Sequence, residues 1–284
     1  MSSLTHARTP PRFWWRLRAS AAIAALAGRS LWFYRAGLVI SVIVLLVQIF
    51  ALRTVWTSVY ADRGAVAGSG GVTDVPLELQ LAYVSLSLVQ FWALNGWTVY
   101  SLQQRVREGR VGADLARPLG LLWQVVMARV GTILACLPFA AVTLLLATTF
   151  GGVAGPGGPG ALGGYLIALM LAAVISIQLL VLLDMTSFWT LEVTGIYLSY
   201  SLVSRLLSGS LVPLWFMPDW LRVLAGVLPF QATTFTPVAI YLGSLEGAAM
   251  WRSLGISAAW VIILALLLRW SWARVVNRVV VQGG

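Results

Sequence analysis

The chain has 284 residues, of which 60% are apolar and only 10% charged, and its mean hydropathy is +0.88. That composition excludes an ordinary soluble domain, and apolar runs of roughly 20 residues exclude the short tilted strands of a membrane barrel, which leaves an all-α membrane protein. The net charge of +10 is carried by arginines scattered between apolar runs, a pattern that favours anionic lipid headgroups and argues against nucleic acid as partner.

Residues 1–12 are polar with two prolines and read as a tail without a cleavable leader pattern. From Phe13 to about Leu31, Trp14, Leu17, Ala21 and Ala24 share one helical face opposite Arg12 and Arg16, which predicts an amphipathic helix lying in the membrane surface. Residues 1–35 thus form a tail and an interfacial helix. A first span is predicted over about 36–56, followed by the glycine-rich loop DRGAVAGSGGVTD. A second covers about 79–101, and a third about 121–150, with Pro138 as a place to tilt or kink. The stretch GGVAGPGGPGALGG, 151–164, has no side chains with which to pack and reads as a linker. The fourth, fifth and sixth spans cover about 165–183, 188–211 and 254–272, and 273–284 is a second tail.

Between the last two spans, 212–243 is too apolar for a solvated loop and too broken by Pro213, Pro218, Pro229 and Pro237 for one crossing helix. A re-entrant pair of short helices fits, and a seventh span is the alternative. Arginine placement favours six spans with both termini in the cytoplasm. Arg8, Arg12, Arg16, Arg18, Arg29, Arg35, Arg105, Arg107, Arg110, Arg117, Arg269, Arg274 and Arg278 then lie inside, and only Arg53, Arg63, Arg222 and Arg252 outside.

All basic residues are arginine, so the chain has no phosphate-binding loop with its lysine and no route by that motif to nucleotide hydrolysis. One cysteine, Cys136, and one histidine, His6, cannot build a disulfide, a metal cluster or a Cys/His pair. No catalytic or metal-ligating residue is assigned, and no cofactor is expected on this chain.

Three constellations remain. On span five, Thr190, Thr194, Tyr197, Ser201, Ser204, Arg205 and Ser208 follow steps of three and four and form one polar stripe. Such hydroxyls either glue helices or line a route, and the intramembrane charge of Arg205 favours a route or a subunit seam. On span two, Tyr83, Ser87, Gln90 and Thr98 share a face with Asn95 beside it, so two polar stripes can converge. Asp184 and Glu192 flank the turn between spans four and five, where helix ends explain them. Many tryptophans sit at span ends, as an aromatic belt requires, but Trp215 and Trp220 lie in the proline-broken segment.

The third constellation is REGRVGADLARPL, within a connecting segment over 102–120. Gly109 and Gly112 allow a turn, 113–117 can form about one and a half helical turns with Asp114 near the positive end, and Pro118 stops them. The product is a short charged knuckle.

With the interfacial helix, six spans, this knuckle and LVPLWFMPDWLRVLAGVLPF in that order, the chain resembles the membrane permease subunits of type 2 (ABC-2 type) ABC exporters, in particular small bacterial permeases with a separate ATPase chain. The resemblance implies a coupling helix seated in the ATPase, with Gly109, Asp114, Leu115, Arg117 and Pro118 at the coupling positions. Arg107, Glu108 and Arg110 belong to the same segment. It implies an outer cap marked by Gly209, Pro213, Pro218 and Pro229, with Trp215 and Trp220 inside it. It implies two ATPase subunits binding ATP and Mg, a second identical or related permease, and a bacterial cytoplasmic membrane location. The cargo expected is a hydrophobic or amphipathic drug, natural product, lipid or glycan-like molecule. An ATP-independent carrier or channel using Arg205, Asp184 and Glu192, or a membrane-embedded lipid enzyme, stays open as the alternative.

Overall fold

The computed structural model describes residues 12–65, 75–95, 102–109, 111–115, 117, 119–149, 155–190 and 194–282. Every regular element among them is a helix: α1 (Arg12–Phe33), α2 (Arg35–Ala65), α3 (Leu77–Asn95), α4 (Leu102–Arg107), α5 (Val111–Leu115), α6 (Leu121–Thr149), α7 (Ala161–Met185), α8 (Thr194–Leu207), α9 (Asp219–Val227), α10 (Phe235–Tyr241) and α11 (Gly247–Gln282). Tight 3-10 turns at Thr186–Phe188, Leu214–Phe216 and Pro229–Thr233 join some of them.

Among the described residues, five helical stretches are long and apolar enough to cross a membrane: Arg35–Ala61, Leu77–Asn95, Leu121–Thr149, Ala161–Phe188 and Gly247–Val275. They coincide with the first, second, third, fourth and sixth spans expected from hydropathy. The fifth differs. Its described helix, α8, has 14 residues, roughly 21 Å at 1.5 Å per residue, which is less than the hydrocarbon thickness. Thr190 precedes the helix instead of joining it, and a glycine at positive φ, Gly209, turns the chain just after its end. α6 runs without interruption through Pro138.

α3 is the central post. Residues 80–91 are all buried, and the helix packs against α2, α6, α7 and α10. The large apolar side chains that remain exposed belong to the surrounding helices, among them Ile43 and Val47 on α2, Leu134 and Leu145 on α6, and Ile262 and Leu266 on α11. Apolar contact with hydrocarbon on that scale is what a lipid-embedded bundle presents.

Two ends of the bundle can be distinguished by contacts. At the proximal end Leu102, Val111, Leu121, Val125, Val181, Met185 and Leu268 form one cluster, which joins α4, α5, the start of α6, the end of α7 and the far part of α11. At the distal end the aromatic rings of Trp56 and Phe216 stack with centroids 4.5 Å apart, and Tyr60 donates a hydrogen bond to the carbonyl of Val75 at 2.9 Å. The glycine-rich linker before α7 also docks there. Gly157 donates its N–H to the carbonyl of Tyr241 at 2.8 Å, and a Cβ on Gly157 would lie 2.7 Å from the backbone of Gly243. The missing side chains of that stretch permit close backbone packing as well as linking.

α1 packs lengthwise along the proximal half of α6. Trp123 donates its indole N–H to Ser20 at 2.7 Å, and Trp32 meets Phe139 with ring centroids 5.3 Å apart. The buried face is Ser20, Ala27 and Leu31, with Ala24 and Gly28 beside them, while Trp14, Leu17 and Ala21 stay exposed. Small residues allow the two backbones to approach, as they do between membrane helices generally. A Cβ on Gly131 would fall 1.9 Å from the carbonyl oxygen of Ala24. Gly131→Val therefore forces α1 away from α6 and is expected to destabilise the chain by about 1–3 kcal/mol. Thermal unfolding in detergent, with a disulfide between cysteines placed at Ser20 and Trp123 as the local reporter, measures both consequences; unchanged stability and crosslinking would contradict this packing.

Candidate functional site

The knuckle is built by a turn and a clamp. α4 ends at Arg107, and Gly109 takes φ +67°, a conformation that favours glycine. α5 then starts at Val111, two residues earlier than expected, so Gly112 lies inside the helix. With only 5 residues, α5 has little dipole to offer Asp114. Neighbouring side chains neutralise the acid instead. Arg105 forms an ion pair and hydrogen bond with the Asp114 carboxylate, and Arg117 approaches its other oxygen at 3.5 Å. The Asp114 side chain is 2% exposed.

Gln124, on the first turn of α6, locks this arrangement from below. Its amide nitrogen donates to the carbonyls of Leu119 at 2.7 Å and Asp114 at 3.2 Å, and its oxygen accepts from Arg117 at 3.4 Å. Asp114 is thus an internal clamp, while Glu108 and Gly109 form the exposed tip. Arg110 and Pro118, and the side chains of Arg107 and Leu115, lie outside the described residues. α4 rests on α7 and on the turn Thr186–Phe188.

Directly behind that turn is a buried charge cluster. Arg129 on α6 and Asp184 on α7 pair at 3.0 Å with side-chain exposures of 4% and 0%, and the Tyr197 hydroxyl donates to the second Asp184 oxygen. Three helices, α6, α7 and α8, are tied at one carboxylate. Arg129 escaped the sequence reading, although an arginine eight residues into an apolar run is itself the signal, because such a charge requires an internal partner.

The predicted stripe on α8 does not stay on one environment. Ser204 and Ser208 are buried, Tyr197, Ser201 and Arg205 are half-buried, and Thr194 is exposed. The outward face carries Leu198, Leu202 and Val203. Arg205 lies over the ring of Phe91 on α3, 5.0 Å from its centroid, so the α8 stripe meets α3 at an aromatic ring and not at the polar side chains of the predicted face. Asn95 donates locally to the carbonyl of Phe91 at 3.3 Å, and Ser87 to that of Val84 at 3.1 Å.

Tyr83 and Gln90 instead reach the broken segment. Tyr83 donates to the carbonyl of Gly209 at 2.9 Å, and Gln90 to that of Thr233 at 2.8 Å. Gly209 has φ +79°, and a Cβ there would meet Leu214 at 2.6 Å and the Tyr83 hydroxyl at 2.8 Å. Pro213 and Pro218 precede the turn Leu214–Phe216 and α9, while Pro229 opens the turn Pro229–Thr233, where a missing N–H costs no helical bond. Trp215 donates to Gln80 at 3.0 Å and packs edge-on to Tyr83 at 4.6 Å. Trp220 remains 69% exposed on α9. The segment covers the distal end of α3.

An all-helical, multi-pass membrane domain with a buried charge cluster and a charged connecting knuckle at the same end has the build of a membrane transport component. A family model described as "ABC-2 family transporter protein" matches residues 76–283, more than two thirds of the chain and every constellation above. The chain belongs to that family and is a membrane transport permease, which implies an ABC transporter system with an ATPase partner. No curated protein and no solved structure matches it.

The cluster gives a stability test. Asp184→Asn leaves Arg129 buried without its counter-charge and is expected to cost about 3–5 kcal/mol, whereas Arg129→Met combined with Asp184→Leu recovers most of it. A double-mutant cycle by unfolding in detergent measures this; additive losses in the double variant would refute the pairing.

Proposed function

We propose that the chain is the permease of an ATP-driven exporter that moves a hydrophobic or amphipathic molecule across the bacterial cytoplasmic membrane. Two such permeases, identical or related, work with two ATPase subunits that bind ATP and Mg. The observation that carries this reading is the clamped knuckle, which shares an apolar cluster with Val181 and Met185 on either side of Asp184 in sequence, next to the Arg129–Asp184–Tyr197 cluster. A rigid charged projection on one end of the bundle is what an external motor needs to grip.

The proximal end then faces the cytoplasm, in keeping with Arg35, Arg105, Arg107 and Arg117 near it. α8 serves as the sixth crossing element, completed by the flanking residues and by the cap, whose short helices dip in and return. When the motor closes, the knuckle pushes on the end of α7, and Asp184 passes that displacement to α6 and α8 together. Movement of α8 against α3 opens or shuts the route, with Tyr83, Ser87, Gln90, Ser201, Ser204 and Arg205 near it and Trp215 above.

Copurification tests the whole reading: a stable complex with an ATPase, transporting only with ATP, is expected, and ATP-independent transport by the lone chain would defeat it. Within that complex, Asp114→Ala frees Arg105 and Arg117 and softens the knuckle. The variant is expected to insert and bind the ATPase normally while transport per ATP hydrolysed falls at least severalfold. Normal coupling would reduce the knuckle to a topological anchor.

A further inference from the structure

Arg205, on α8, has no counter-charge among the described residues. The Arg205 guanidinium makes no ion pair or hydrogen bond there, and Phe91 contributes only the face of a ring. Three of the described acids are committed elsewhere, Asp114 to Arg105 and Arg117, Asp184 to Arg129, and Asp219 to Arg222, and Glu78, Glu108 and Glu246 do not line the groove next to it. Arginine keeps its charge in any protein environment and presents five donors in a planar fork.

Arg205 closes one side of a groove of about 300 Å³ between α2 and α3, at the small end of the range of ligand sites. Leu88 and Trp92 form its floor, while Ser41 and Gln48 bring polar groups from α2. Gln48 has no hydrogen-bond partner among the described residues. Ser41 bonds back to Leu38 at 2.7 Å but keeps its oxygen as an acceptor. No acid lines the groove. Phe91 marks the level of the guanidinium on α3. The groove continues along α2 past Ile40 and Val44, which are exposed. A cation with open donors, a neighbouring amide and an apolar trough leading away from both match the two parts of one kind of molecule.

We propose that this groove binds an anionic amphiphile, with a phosphate or carboxylate held bidentately by Arg205 and hydrogen-bonded by Gln48, and its tail laid between α2 and α3. The proposal rests on the permease reading only for the ligand's fate. Such a molecule is either the transported substrate or a resident phospholipid, and the charged group is common to both.

The full chain, purified in an uncharged maltoside detergent, is titrated with dodecyl phosphate and with dodecanol as the uncharged counterpart. Wild type is expected to bind dodecyl phosphate at least roughly tenfold more tightly, as a charge-assisted hydrogen bond implies. Arg205→Gln removes that preference, Arg205→Lys restores part of it, and Arg222→Gln leaves it unchanged. Gln48→Leu, a substitution on α2 that keeps Arg205 in place, weakens dodecyl phosphate severalfold. Equal binding of the two ligands, a preference that survives Arg205→Gln, or a site filled by a carboxylate of a second copy overturns the proposal.

The fate of the ligand is read on the complex with the ATPase. Stimulation of ATP turnover by dodecyl phosphate, lost in Arg205→Gln, marks a substrate. Phospholipid phosphorus retained through purification by wild type and not by Arg205→Gln, without stimulation, marks a resident lipid. Either result retains the site. Absence of any ATPase partner would remove the exporter reading while the binding preference stands.

Discussion

Irregular backbone buried away from water must find its hydrogen bonds within the protein, and the segment from Ser208 to Glu246, packed against α3 and α7, sets that requirement for the whole bundle. Its turns expose carbonyls that no helix of its own can satisfy. α3 supplies the donors: Tyr83 for Gly209 and Gln90 for Thr233. A helix carrying those groups has to stand in the middle, covered on every side, and residues 80–91 are buried accordingly. The other long helices wrap around it with apolar faces outward. Gly209 follows from the same demand, because only a residue without Cβ fits both its positive φ and the approach of Tyr83.

A second requirement concerns charge. Asp184 and Arg129 are far too buried to exist singly, so the pair fixes the register of α6 against α7, and Tyr197 adds α8 to the same carboxylate. The cluster sits one short turn from where α4 rests on α7. Through Val111 and Leu102, the knuckle shares an apolar cluster with Val181 and Met185, neighbours of Asp184 in sequence. Force applied to the knuckle therefore meets a stiff element, not a hinge.

The spans were legible because crossing hydrocarbon demands a length and a composition, and both are visible in five stretches of sequence. The turn at Gly109 and the helix starts after Pro213 and Pro218 were legible for a local reason, since these residues restrict their own backbone. Partner choice was not. Periodicity placed Tyr83, Ser87 and Gln90 on one face but said nothing of what that face meets, and two of them meet backbone of the proline-broken segment. Asp114 looked like a helix-end acid because Arg105 and Gln124 come from either side of its turn. The length of α8 was hidden by polar periodicity that runs on through Thr190 and Ser208, beyond the ends of the helix.

Arg129 and Arg205 show how one residue type divides into two roles. Both are placed by apolar helices, and both face the interior of the domain. Arg129 is 4% exposed with an acid at 3.0 Å, so its charge is cancelled inside the chain and its donors hold helices together. Arg205 is half-buried beside an aromatic face and a groove that lacks an acid, so its charge is cancelled nowhere among the described residues. A membrane protein that needed only helix glue at that position has serines on the same stripe for the purpose. On the binding proposed above, a permanent cation there selects what enters the groove by sign, which discriminates amphiphiles by headgroup where their tails are alike.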